Sequence, residues 1–135
     1  MTPLRAELVD LLSEDSWTRR TAIEQVDTAQ AAGRYALRQL LWHDADAAVR
    51  SAAALQLART PSAYITDVSA WLDDALDDHR PLVREAVLRA WARMATRLPA
   101  LIRGQASARA AVVLSRDPIW WVRRAAVLAY CALLS

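Results

Sequence analysis

Two histidine–aspartate neighbours, His43-Asp44 and Asp78-His79, carry the side chains of this sequence best suited to hold a metal ion or move a proton. Zinc sites need such nitrogen and oxygen donors to converge from a close set, oriented by a further layer of hydrogen bonds. Both pairs fall in turns between helices, and stacked turns of this kind stand about 10 Å apart, too far for one ion. They read as polar turn residues. Cys131 has apolar neighbours and no base close by, which describes a small buried hydrophobe rather than a nucleophile. Asp73, Asp74, Asp77 and Asp78 lack the glycine and closing glutamate of a calcium loop and mark a solvated helix end. No catalytic residue, metal or cofactor is expected from these groups, and a binding role is favoured over an enzymatic one.

The arginines carry a pattern instead. An acidic residue stands six positions ahead of an arginine four times, in Glu14 to Arg20, Asp44 to Arg50, Asp78 to Arg84 and Asp117 to Arg123. Val49, Val83 and Val122 precede the last three arginines, and Ala22, Ala52, Ala86 and Ala125 follow two positions after all four. Successive arginines lie 30, 34 and 39 positions apart. Periods of that size mark helical solenoids, in which each unit stacks on its neighbours.

Helices must position these arginines, and the apolar spacing supplies them. Val83, Ala86, Val87, Ala90, Trp91 and Met94 fall on one stripe of a 3.6-residue helix, with Glu85 and Arg89 paired on the opposite side. The same offsets select Val49, Ala52, Ala53 and Leu57 in the second unit, and Val122, Ala125, Ala126, Ala129 and Leu133 in the fourth. A first helix precedes each of these, at about Pro3 to Ser13, Gly33 to Trp42, Ser62 to Leu76, and Pro99 to Ser115. Asp117-Pro118 and Thr2-Pro3 are expected to start helices, with an N-cap acceptor followed by proline. The result is an all-α chain of eight helices in four hairpins, one domain over residues 1–135. A hydrophobic content of 55% supports a packed core, and two glycines are too few for the tight turns of a sheet. The longest stretch without charge, Ala125 to Ser135, falls short of the roughly 20 residues that cross a bilayer. With a single cysteine and no basic-then-apolar leader, a soluble cytoplasmic protein without a membrane partner is expected.

This pattern resembles HEAT repeats, paired-helix units with an aspartate in the turn and a valine-arginine pair opening the second helix. The resemblance covers nearly the whole chain. It implies a solenoid scaffold in which Asp44, Asp78 and Asp117 take the aspartate position and Arg50, Arg84 and Arg123 the arginine, pairing between neighbouring units as a ladder. The first unit departs from the pattern, with Glu14 at the aspartate position and Arg19 at the valine.

What the scaffold displays decides its function. All 17 basic residues are arginine, and residues 79–135 hold ten of them against Glu85 and Asp117 alone. Residues 1–78 hold seven against thirteen acids. Such a field steers acidic surfaces to the carboxyl-terminal half. Arg89, Arg93 and Arg97 recur every four residues and are expected to form an exposed ridge, joined by Trp120, Trp121 and Arg124 as binding residues. The reading is a protein or peptide interaction module for an acidic partner. Nucleic acid is the alternative, through the likeness to HEAT-like alkylpurine DNA glycosylases, which bind duplex on a basic face and use tryptophan, aspartate and arginine around the lesion. No residue here matches a glycosylase motif, and the acidic amino-terminal half is expected to repel a long polyanion. The six tryptophans are expected mainly to fill gaps between hairpins. A more distant reading is an enzyme or accessory factor acting on a bound peptide.

The last helix raises a separate expectation. Its outward positions Val127, Cys131 and Leu134 are apolar, and no charge follows Arg124. A helix apolar on every side must be covered, so an oligomer or partner interface is expected there.

Overall fold

The apolar stripes become helices with boundaries set by proline and by turn aspartates. In the computed structural model, which describes residues 6–135, eight α-helices follow one another among the described residues. They are α1 Ala6–Asp10, α2 Ser16–Ile23, α3 Ala31–His43, α4 Ala47–Leu57, α5 Ile65–Ala75, α6 Pro81–Met94, α7 Ala100–Arg116 and α8 Trp120–Leu134. Short 3-10 turns at Ser62–Tyr64 and Ala95–Arg97 precede α5 and follow α6. The expected helix at Ser62 thus opens as a tighter turn after Pro61. Thr2-Pro3 lies outside the described residues. Asp117-Pro118 does not start α8, because the cap residue is Ile119 and the Asp117 carboxylate is turned to other work.

Odd- and even-numbered helices form two layers. Each even helix packs against its own odd partner and against the next even helix, so α2, α4, α6 and α8 run in series. Val83, Ala86, Val87, Ala90, Trp91 and Met94 are all buried, as the stripe requires. Alanine at Ala53, Ala54, Ala126 and Ala129 lets neighbouring helices approach closely. Fully burying a leucine such as Leu57 or Leu72 contributes roughly 1.5–3 kcal/mol. Gly33 opens the way for a different close approach, since a Cβ there would lie 2.4 Å from the Asp27 carbonyl oxygen and 2.9 Å from Val26 Cγ1.

Each turn aspartate performs two tasks. Within its own unit, Asp44 Oδ1 accepts from the Asp46 amide at 2.9 Å, Asp78 Oδ1 from Arg80 at 2.9 Å, and Asp117 Oδ1 from Ile119 at 3.0 Å. Across units, the same carboxylates accept a two-pronged clamp from the preceding arginine. Arg50 Nε reaches Asp78 Oδ2 at 2.8 Å with Nη2 on Oδ1 at 3.2 Å, and Arg84 holds Asp117 at 2.7 and 3.1 Å. The third guanidinium nitrogen returns to the arginine's own turn, where Arg50 Nη1 donates to the Asp44 carbonyl and Arg84 Nη1 to that of Asp78. One side chain therefore fixes the pitch of two hairpins at once.

The first unit sits one position off the expected register. Arg19, not Arg20, holds Asp44, with Nε on Oδ2 at 2.8 Å and Nη2 on Oδ1 at 3.0 Å. Ser13, not Glu14, takes the turn position, since Ser13 Oγ accepts from the Asp15 amide at 3.1 Å and its carbonyl accepts from Arg19 Nη1 at 2.9 Å. A serine can cap the turn but cannot answer an arginine, so the acid-to-arginine spacing pointed to the wrong pair. Asp15 then caps α2 by accepting from the Thr18 amide at 2.8 Å.

Three other expectations change. The acid cluster is only partly solvated, because Arg109 on α7 donates Nε to Asp73 at 2.8 Å and Nη2 to Asp77 at 3.0 Å, tying α7 to α5. Cys131 is exposed rather than buried, because it lies on the side of α8 that also carries exposed Val127 and Leu134, away from the buried Val122, Ala126, Ala129 and Leu133. Trp91 fills the core, but Trp17 at 69% and Trp120 at 64% exposure plug nothing. Trp42 and Trp71 instead join α3 to α5, with Trp42 Nε1 donating to the Trp71 carbonyl at 3.3 Å. The Arg38 guanidinium lies 4.8 Å from the Tyr35 ring centroid and 5.3 Å from those of Trp42 and Trp71.

Candidate functional site: an arginine-lined groove on the second helices

Counting from each ladder arginine brings one outer stripe of the even helices into view. One position on stand Arg20, Ser51, Glu85 and Arg124, and five positions on stand Glu24, Leu55, Arg89 and Leu128. Nine on, Arg59 and Arg93 occupy adjacent units. These side chains share a face because 3.6-residue periodicity returns them to the same side of their helices while the ladder holds the helices in register.

That face is hollowed into a groove with two parts. The first, about 570 Å³, is lined by Arg20, Glu24, Leu55, Arg59, Leu82, Arg89 and Arg93, among others. The second, about 320 Å³, is lined by Glu85, Arg89, Ala92, Arg93, Trp121, Arg124, Ala125 and Leu128. Arg89 and Arg93 line both, so they stand at the junction. Five guanidinium groups thus face two carboxylates across an apolar floor that includes Leu55, Leu82, Trp121 and Leu128. Only a long contact restrains Arg89, 3.9 Å from Glu85 Oε1, and its side chain remains half exposed. Arginines held so loosely keep their donors for a ligand.

The sequence-derived binding residues divide here. Arg89, Arg93, Arg124 and Trp121 come together in the groove. Arg97 does not, because the 3-10 turn after α6 rotates it off the helical ridge. Its guanidinium donates to the Ala58 and Thr60 carbonyls at the end of α4, a structural tie between units. Trp120 is exposed but is not among the groove-lining side chains. Arg20 and Arg59 were missed: they lie far from the arginine-rich stretch in sequence and enter the site through stacking alone. The repeat offsets themselves are the signal that finds them.

Charge is divided by face as well as by half of the chain. In the carboxyl-terminal part, Arg84 and Arg109 are neutralised by Asp117, Asp73 and Asp77. Among the described residues of the acidic amino-terminal half, Glu24 is the one acid that lines the groove. Among the described residues, no three histidine, cysteine or carboxylate side chains converge as metal ligands.

A stacked series of helical hairpins, bonded turn to turn by arginine and aspartate, defines a helical solenoid. A family model described as HEAT repeats matches residues 3–92, and the chain belongs to the HEAT-repeat family. The fourth hairpin lies beyond the matched residues, and the Arg84–Asp117 clamp carries the same turn geometry into it. Searches of curated proteins and of solved structures found no match. HEAT repeats generally serve as protein-interaction modules. No described helix is long and apolar enough to cross a membrane.

Proposed function

We propose that this protein is an interaction module that binds an acidic segment of a partner protein along the groove of its even helices. The observation that carries this reading is the pairing of five groove arginines with an apolar floor, while the ladder arginines Arg19, Arg50 and Arg84 are already neutralised. Guanidinium groups clamp carboxylates with two parallel bonds, and interleaved leucine and tryptophan side chains receive apolar residues of the same segment. Glu24 and Glu85 add places where a uniform polyanion meets like charge, whereas a protein segment can set a basic or neutral residue there.

Fluorescence anisotropy tests the reading with two labelled probes, a peptide alternating glutamate with leucine and tyrosine, and a mixed-sequence DNA duplex. The peptide is expected to bind and to lose at least about tenfold in affinity in Arg89→Glu/Arg93→Glu. Duplex that binds as tightly as the peptide at physiological salt, with affinity falling steeply as salt rises, would replace this reading with nucleic-acid binding.

A further inference from the structure

Neighbouring odd helices are joined differently from one pair to the next. Between α3 and α5 the space is bridged by aromatic rings, with the Tyr35 and Trp71 centroids 5.6 Å apart. Between α5 and α7 stand the small side chains of Ser69, Ala70 and Ala106, and a cleft of about 490 Å³ opens there. Small-molecule sites have this size. The cleft shares no lining residue with either part of the arginine-lined groove.

Trp91 of α6 lines this cleft. The same position, seven after the ladder arginine, holds Val26 and Leu57 in the earlier units, both buried and wholly apolar in their side chains. Trp91 is 1% exposed, and its Nε1 donor has no hydrogen-bond acceptor among the described residues. A buried indole N–H ordinarily finds a partner. Packing at this position is satisfied by valine or leucine, so the added donor points to an acceptor that the chain itself does not supply. Charge gathers where α5 ends. Arg109 holds both Asp73 and Asp77, at 2.8 and 3.0 Å. Asp74 also lines the cleft and is exposed, and its carboxylate makes no hydrogen bond or ion pair among the described residues. Three carboxylates therefore share one guanidinium.

We infer that the cleft between α5 and α7 binds a small primary amine that also carries a carbonyl oxygen, the oxygen accepting from Trp91 Nε1 and the ammonium group meeting Asp74. Charge selects the amine, because an anion entering here meets a surplus of carboxylates and a neutral amide leaves Asp74 unanswered. The buried donor selects the oxygen, because an alkylamine in its ammonium form has no acceptor to offer an N–H. Methylene groups between the two ends lie along Ala70, Ile102 and Ala106. The inference goes beyond the groove and does not rest on it, since the two sites have opposite charge and no residue in common.

The test titrates the full chain with glycinamide, aminobutanamide and aminohexanamide, which set amine and carbonyl at increasing spacing, and follows the indole N–H signals by NMR. The Trp91 signal is identified by single Trp→Phe changes at the other tryptophans, which leave this core residue in place. At least one of the three amides is expected to shift the Trp91 signal saturably. Hexylamine, which lacks the carbonyl, is expected to bind at least about tenfold more weakly than aminohexanamide, and hexanamide, which lacks the amine, at least about threefold more weakly. Asp74→Asn, at an exposed position, is expected to remove the preference for aminohexanamide over hexanamide. Ala70→Leu fills the mouth of the cleft from another exposed position and is expected to abolish the shift while leaving acidic-peptide affinity at the groove unchanged. A Trp91 signal that none of the amides moves, or a shift that persists in Ala70→Leu, overturns the site. Equal binding of hexanamide and aminohexanamide overturns the role of the amine, and equal binding of hexylamine overturns that of the Trp91 donor.

Discussion

Arg84 and Asp117, 33 residues apart in sequence, meet in a two-pronged ion pair at 2.7 and 3.1 Å that joins the third hairpin to the fourth. Both side chains are largely buried, at 14% and 6% exposure, which separates this pair from surface ion pairs of little net worth. Replacing Arg84 with alanine strands a carboxylate between hairpins. The variant is expected to lose roughly 1–3 kcal/mol in urea unfolding. An unchanged midpoint would show that the ladder contributes nothing to stacking.

Acid should weaken the ladder in a defined window. At Asp78 burial pushes the carboxyl up, but the Arg50 guanidinium and the Arg80 amide outweigh it and hold the group below its ordinary value. Asp117 is likewise raised by burial and lowered further by Arg84 and the Ile119 amide. Groups depressed in the fold contribute stability that is present above their unfolded pKa of about 4 and is lost as pH falls through the depressed values. Melting temperatures are expected to hold from neutral pH to about pH 5 and to fall below about pH 4. Asp117→Asn should begin lower and decline less steeply over the same acid range.

Arg97 distinguishes scaffold from site. Its guanidinium bonds to the Ala58 and Thr60 carbonyls, so Arg97→Ala is expected to cost about 1–3 kcal/mol of stability while leaving acidic-peptide affinity unchanged. Weaker peptide binding by a fully folded Arg97→Ala protein would return this residue to the binding face.

Arg89 and Arg93 should behave in the opposite way. Both are exposed on the groove, so Arg89→Ala/Arg93→Ala is expected to shift stability by no more than about 0.5 kcal/mol. Peptide binding measured by anisotropy should nevertheless weaken, and a large drop in melting temperature would mark these arginines as structural.

The two glycines make a matched pair of controls. Gly33→Ala drives a Cβ into the Asp27 carbonyl and is expected to destabilise by about 1–3 kcal/mol. A Cβ at Gly104 meets nothing within 4 Å inside α7, so Gly104→Ala is expected to stabilise by about 0.5–1 kcal/mol. Thermal melts of both variants, moving in opposite directions, would check the packing on either side.

Periodicity in the chain was sufficient to place the helices and their buried stripes, because these follow from spacing within one hairpin, and the resemblance to HEAT repeats implied the pairing of Arg50 with Asp78 and Arg84 with Asp117. The first unit's register was not legible: Ser13 carries no charge, and Glu14 offered a better match to the spacing than the residue that fills the turn. Tertiary structure decided which arginines remain available. Arg97 and Arg109 look like Arg89 in sequence, yet a 3-10 turn and the approach of α7 to α5 give them partners that lie 32 to 39 residues away. Arg20 and Arg59 join Arg89, Arg93 and Arg124 only when the even helices stack. Local spacing sets which side of a helix a residue occupies, whereas the order of packing between helices sets what that side meets.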